Sequence, residues 1–236
     1  MPPQFNNKLL NKLELEVIGR LQLREVKFEV GHEIEFPGKS IDQLFFIESG
    51  IGSMTTTFED GSQVEVGMFG CESVMGASAL MGTRRSLNRV YMQAEGHGYS
   101  TSVQKATAEF RRFDQFHDLV LRYVQAQLTQ TIQSAGCNAK HEIGQRLARW
   151  LLLCADRVGS TDLHFSHDFL ADMLGATRSS VAIAAQRLKD QGLIDYRRAH
   201  ISIPDRQALE RRACECYRIV KDHLDSYTDL DTGAGV

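Results

Sequence analysis

With 236 residues, 42% of them apolar and 24% charged, the chain has the composition of a soluble globular protein large enough for one large or two modest domains. A formal net charge of −3 argues against a generally basic protein that coats nucleic acid, although charge can segregate between domains. No stretch approaches the roughly 18 consecutive apolar residues of a membrane span, and the opening MPPQFNNKLL lacks the apolar core of a signal peptide, so the expectation is a cytoplasmic protein without a membrane partner.

Residues 1 to 20 carry LLNKLELEVIGRL, whose apolar spacing predicts a short helix. From about 25 to 105 the texture is that of a meandering all-β domain. VKFEVGHEIEF, QLFFIESGIGSM and SQVEVGMFG are short, nearly alternating apolar runs, and Pro37-Gly38, Ser49-Gly50 and Asp60-Gly61 are their expected turns. From about 107 to 158 the pattern becomes helical. In FHDLVLRYVQAQLTQTIQSAGCNA, residues Leu121, Val124, Leu128, Thr131 and Ala135 recur at alternating spacings of three and four, a narrow stripe close to a coiled-coil seam. Such a stripe suits a dimerisation helix, and it equally suits a long helix packed on its own β-domain. HEIGQRLARWLLLCADRV is broadly apolar, as a buried helix is.

Residues 160 to 212 read as helix, helix and β-ribbon. The first helix is N-capped by Ser166, carries Asp168 in its first turn and packs through Phe169, Leu170, Ala171 and Leu174. Gly175 supplies the positive φ that a steep crossing of two helices needs. Thr177 then caps a second helix anchored inward by Val181 and Leu188, with Arg178, Ser179, Ser180 and Ile183 outward. Short polar side chains around one Arg suit close approach to a major groove, whereas a helix shaped for solubility alone carries more Glu and Lys there. In the ribbon GLIDYRRAHISIPD, RRAH is the turn, with Arg197, Arg198 and His200 placed for sugar-phosphate contacts. Residues 140 to 212 carry 12 Lys or Arg against 9 Asp or Glu, a net +3, while the rest of the chain carries −6. The acidic whole thus conceals a mildly basic C-terminal part.

The five cysteines (71, 137, 154, 214 and 216) are odd in number and scattered, so no disulfide framework is expected. Cys137 and Cys154 read as buried small hydrophobes. Cys214 and Cys216 in CECY diverge if both lie on one helix, and only His223 is near in sequence, so a structural role is expected, with no metal and no cofactor. Nothing around Cys71 marks it as a reactive thiol. GxSxG, HExxH, P-loop and dinucleotide-binding fingerprints are absent, GMFGCESVMG lacks a basic anchor, and the expectation is a protein that is not an enzyme.

Taken together, GHEIEFPGKSIDQLFFIESG, VGMFG, the long helix, GQRLARWLL and LADMLGATRSSVAIAAQRLKDQGLI resemble the cyclic-AMP receptor protein and fumarate-nitrate regulator (Crp/Fnr) family of bacterial transcription factors, over roughly residues 8 to 212. The resemblance implies an α+β chain: an N-terminal β-roll sensor of the cyclic-nucleotide-binding, jelly-roll type (1–106), a dimerisation helix (107–138), a winged helix-turn-helix (139–212) and a C-terminal helix and tail (213–236). The implied partners are double-stranded DNA bound as a homodimer on a two-fold operator, RNA polymerase, and a small-molecule effector of unknown identity.

The sensor departs from the family's cyclic-AMP pattern. A Gly-Glu pair and a later Arg-Ser pair hold the nucleotide in the best-known members, because a semi-buried anion needs a cation and donors. Aligning Gly76 with the family's Gly puts Ala77 at the Glu position and Leu87 near the Arg, with Asn88 beside it. If the loop is two residues shorter, Arg85 and Ser86 form the pair, and Arg89 is a further candidate cation; the alternative function is then a cyclic-nucleotide-binding regulatory protein using Arg85 and Ser86 for the phosphate. The iron–sulfur branch uses closely spaced N-terminal cysteines, and none precedes Cys71. The haem branch uses a Cys, a nearby His and an N-terminal Pro; Cys71 and the opening prolines match, but the next His is the distant His97. On the recognition helix, Ser179 and Ile183 stand where the receptor carries Glu and Arg, while Arg178 is retained. A different operator is expected, with Ile183 against a thymine methyl and Arg178 on a guanine or a phosphate.

Overall fold

The computed structural model describes residues 4–229. They divide into two compact units, residues 4–54, 68–129 and 222–229 in one and residues 55–67 with 130–221 in the other. No helix among the described residues is long and apolar enough to cross a membrane.

The first unit opens with a 3-10 turn, Leu10–Lys12, and helix α1, Leu15–Leu21. Six strands follow in chain order, with the β3 and β4 residues between 55 and 67 counted in the second unit: β1 (Arg24–Phe28), β2 (Glu33–Glu35), β3 (Gln43–Thr57), β4 (Gln63–Phe69), β5 (Val74–Met75) and β6 (Arg89–Ser102). They form one sheet of order β1-β6-β3-β4, with β2 also paired to β6 and β5 to β3. Phe28, Ile47, Phe69, Met75, Val90 and Met92 close its core, with Val26, Ile34, Phe45 and Met54 packed against them. The alternating segments therefore form strands for the expected reason, burial of one face. Pro37-Gly38 and Asp60-Gly61 turn the chain as expected, with φ of +78° and +83° at the glycines. Ser49-Gly50 does not. It lies inside β3, where a Cβ at residue 50 would stand 2.7 Å from the Glu95 carbonyl oxygen on β6. Gly50 serves a close pass of two strands, not a reversal.

Helix α2, Val103–Phe110, starts directly at the end of β6, capped by Ser102. A bidentate pair from Arg20 of α1 to Glu109 of α2 (2.6 and 2.7 Å) satisfies a carboxylate that is 97% buried, leaving only 3% of it exposed. The long helix α3 spans Gln115–Lys140. Phe116, Leu119, Val120, Tyr123 and Ala126 are buried along one side of it.

In the second unit α4, Ile143–Val158, is sheathed almost completely and ends at Gly159 in the left-handed region. Trp150 is fully buried, packed edge-on to Phe165 at 4.8 Å, and its indole N–H donates to Glu65 of β4 at 2.8 Å. After α4 come β7 (Asp162–His164), α5 (His167–Leu174), α6 (Arg178–Asp190), β8 (Asp195–Arg197), β9 (His200–Ser202), α7 (Arg206–Arg212) and α8 (Cys216–Ser226). The expected ribbon of β8 and β9 gains a third strand, β7, which pairs with β9. At three residues β7 is too short for its period to show in the sequence.

Candidate nucleic-acid interface

The joint between α5 and α6 is built by capping. Ser166 accepts from the Phe169 N–H at 3.1 Å, and Thr177 accepts from the Ser180 N–H at 3.2 Å. Gly175 takes φ +55°, and a Cβ there would also meet Val64 at 2.9 Å, so two separate demands exclude a side chain. Leu170, Ala171 and Leu174 of α5 and Val181, Ala184, Ala185 and Leu188 of α6 are buried. Arg178 and Ser179 are left exposed, Ser180 half-buried and Ile183 55% exposed. Arg178 sits 3.4 Å from Asp168, both side chains largely in solvent. Such a pair is weak, about 0–1 kcal/mol, so it parks the guanidinium without committing it.

Arg197 and Arg198 are exposed and His200 is half-buried. Arg198 and Ala199 have φ of +48° and +68°, the two-residue left-handed reversal that the twist of a tight hairpin requires. Neither residue is a glycine, so the turn carries strain. Arg197 leans on Asp195 (3.4 Å) and His200 on Asp162 (3.2 Å). His167 stacks flat on Tyr196 at 4.3 Å, joining α5 to the wing, and burial together with the Arg178 charge pushes its pKa below the usual imidazole value.

Along α3, Leu121 and Leu128 are 42% and 57% exposed, Val124 and Thr131 half-buried and Ala135 exposed. Ile132, which the spacing argument passed over, is 62% exposed beside them. Its place four residues after Leu128 was the available signal.

In the first unit two of the predicted effector residues, Gly76 and Ser86, are drawn together around a carboxylate of the chain itself. Glu35 accepts from the Gly76 N–H at 3.0 Å and from the Ser86 hydroxyl at 2.6 Å. Ser86 is buried, and its oxygen also accepts from the Asn88 N–H at 3.2 Å. Gly76 holds φ +83°, and Ala77 is buried in the 3-10 turn Ala77–Met81. The side chains of Arg85 and Arg89 do not converge on this cluster. Arg85 donates to the Gly38 carbonyl at 3.1 Å, Arg89 pairs with Glu33 at 2.7 Å over the Tyr91 ring, and Leu87 is 80% exposed. Glu35 was missed by sequence reasoning because nothing local distinguishes it from the other acidic residues of its strand. Pro2 and Pro3 lie outside the described residues.

Cys137 and Cys154 are buried as expected, but Cys214 and Cys216 are not where the sequence placed them. Cys214 lies in the break between α7 and α8 and Cys216 is the first residue of α8, so they do not diverge on one helix. Both thiols meet Cys137 of α3 and His141 just past its end, and the fourth ligand-type residue is His141, not His223. Cys154 is fully buried, as expected, and its thiol pKa is pushed up by burial.

Residues 145–212 match the model of the Crp-like helix-turn-helix domain. The chain is 24% identical over 216 residues to the global nitrogen regulator of Synechococcus elongatus, covering 87% of this chain and 97% of that one. It is 24% identical over 201 residues to the CRP-like cAMP-activated global transcriptional regulator of Mycobacterium tuberculosis, covering 81% and 89%. Similar solved structures include FixK2 from Bradyrhizobium japonicum (TM-score 0.70, 16% identity, 82% of this chain and 98% of that one) and a Crp/Fnr-family transcriptional regulator from Eubacterium rectale (TM-score 0.69, 16%, 86% and 96%). At such identities the structural likeness speaks to the fold, a β-roll followed by a winged helix-turn-helix.

Proposed function

We propose that this chain, a DNA-binding transcription regulator of the Crp/Fnr family, acts in the cytoplasm as a homodimer on a two-fold operator and does so without cyclic AMP. The observation that carries the DNA reading is the recognition helix α6, capped and anchored on one side while Arg178, Ser179 and Ile183 are exposed on the other. Arg178 reads a guanine edge and Ile183 meets a thymine methyl. Ser166, Thr177, Ser180, Arg197, Arg198 and His200 grip the sugar-phosphate backbone on either side. Two copies paired through Leu121, Val124, Leu128, Thr131 and Ala135 present two such helices to half-sites one turn, ~34–36 Å, apart. RNA polymerase is the partner that such a complex would recruit or exclude.

The sensor reading rests on Glu35. A cyclic phosphate held by the Gly76 N–H and the Ser86 hydroxyl would have to displace a carboxylate already bonded to both, and would face its charge if it did not. This supports a β-roll that responds to a ligand other than cyclic AMP, or to none, and it weighs against Arg85 and Ser86 as a phosphate clamp.

The test is selection of binding sites from random duplexes with the purified protein and no effector, followed by footprinting. A palindrome recovered without effector is the expected result. Recovery only on addition of cyclic AMP would overturn the sensor reading, and failure to select any duplex with or without it would overturn effector-independent binding.

A further inference from the structure

We infer that Cys137, His141, Cys214 and Cys216 bind a single thiophilic divalent cation, zinc by its chemistry, and that the metal clasps the two ends of the DNA-binding region. Their ligand atoms all lie within 4.8 Å of one another. The Cys137 and Cys214 sulfurs are 3.5 Å apart, and the Cys216 sulfur is 3.5 Å from Nδ1 of His141. A tetrahedral centre with Zn–S near ~2.3 Å and Zn–N near ~2.0 Å separates its ligand atoms by about 3.5–3.8 Å, so the four donors already surround a volume fitted to one ion. An iron–sulfur cluster distributes its cysteines around several metal atoms and would need them spread further apart.

The surroundings are those of a metal site and not of a chance meeting of thiols. Nε2 of His141 faces a carboxylate oxygen of Glu215 at 3.3 Å, which turns Nδ1 toward the sulfurs in the carboxylate–histidine–metal arrangement. Gln133 donates to the Cys216 sulfur at 3.0 Å. Three thiolates and a dication sum to −1. Arg149, buried near Cys137, and Arg146, within electrostatic range of Cys137 and Cys214, supply the compensating charge.

The backbone explains how so sparse a pattern converges. Cys137 and His141 are four apart, and the His141 N–H still donates to the Cys137 carbonyl at 3.0 Å, so the helical turn carries both to one face. Cys214 and Cys216 straddle the start of α8, where the break from α7 lets both sulfurs face the same way. Between the two pairs runs the whole winged helix-turn-helix, closed into a loop across which Cys137 and Cys214 are 77 positions apart. Four protein ligands leave no open coordination position, which is the pattern of a structural centre. Bringing the ends of so long a loop together constrains the unfolded chain, and metal binding then becomes folding energy.

The experiment uses the full chain, purified in reducing buffer without chelator. Metal content is measured by mass spectrometry of the elements, and cobalt(II) is exchanged in for its spectrum. The expected result is about one zinc per chain and, with cobalt, the thiolate charge-transfer and tetrahedral bands. Cys214→Ser and Cys216→Ser lose both signals, whereas Cys71→Ser keeps them. Glu215→Gln retains all four ligands and guards against variants that fail to fold; its zinc affinity, read against a chromophoric chelator, falls about 10–100-fold. A chain with no metal, no cobalt spectrum and five titratable thiols would overturn the inference, as would a Cys137–Cys214 disulfide isolated under the same conditions.

Discussion

The Ser86 hydroxyl donates to the Glu35 carboxylate at 2.6 Å, so a carboxylate of the chain itself occupies donors of the proposed effector pocket. Calorimetric titration with cyclic AMP is therefore expected to show no binding at millimolar nucleotide. Glu35→Ala, by orphaning the Gly76 N–H and leaving the buried Ser86 hydroxyl only the Asn88 carbonyl at 2.9 Å, costs about 1–3 kcal/mol in urea unfolding. A wild-type chain that binds the nucleotide at micromolar concentration would refute this account of the pocket.

The proposed dimer seam on α3 is within reach of one substitution. Leu128 is 57% exposed, so Leu128→Asp leaves the fold nearly as stable as before, within ~0.5 kcal/mol. Sedimentation should change from twice the chain mass to 26.5 kDa, and operator affinity should fall about 100-fold or more as two linked half-site contacts become one. An unchanged mass would return the stripe to a role within the monomer.

The roles proposed for Arg178 and Arg198 predict separable contributions to DNA affinity. Removing Arg178 should cost about 1–3 kcal/mol and relax preference at one base position of each half-site. Arg198→Ala should weaken all duplexes alike and reduce the slope of log K against log salt by about 1. Affinities measured on matched and single-mismatch duplexes at several salt concentrations distinguish the two roles.

The wing tip carries strain that glycine would relieve. Ala199 sits at φ +68°, where a Cβ costs ~1–2 kcal/mol, partly offset by the greater freedom of glycine in the unfolded chain. Ala199→Gly is expected to stabilise the protein by about 0.5–1 kcal/mol, seen as a higher urea midpoint. A lower midpoint would show that the turn is held in some other conformation.

His167 gives stability a pH dependence of known sign. Burial first, then the Arg178 charge, hold its pKa below 6.5, with Asp168 opposing and Tyr196 covering one ring face. The unfolded chain thus takes up a proton that the folded chain resists. The stability this represents is complete above pH 6.5 and is lost as pH falls through the folded-state value. Denaturation midpoints of His167→Gln between pH 8 and pH 5 should fall less steeply with acid than those of the unaltered protein.

Much of this molecule was readable in one dimension because the physics concerned was local. Alternation marked the strands, the caps Ser166 and Thr177 needed only residues three positions on, and Gly175 declared its turn because few other residues accept positive φ. Ser49-Gly50 misled for a related reason. A glycine signals an unusual backbone or a close neighbour, and the neighbour here is Glu95, 45 positions away on another strand.

By itself the sequence determined the strand-rich first part, the long helical stretch, the capped helix pair and its outward residues, since each depends on spacings shorter than one helix. Only the tertiary structure decided that Glu35 lies against Gly76 and Ser86, and that Cys137 and His141 meet Cys214 and Cys216. Those encounters join positions tens of residues apart, and their chemistry appears only when packing brings the side chains within bonding distance.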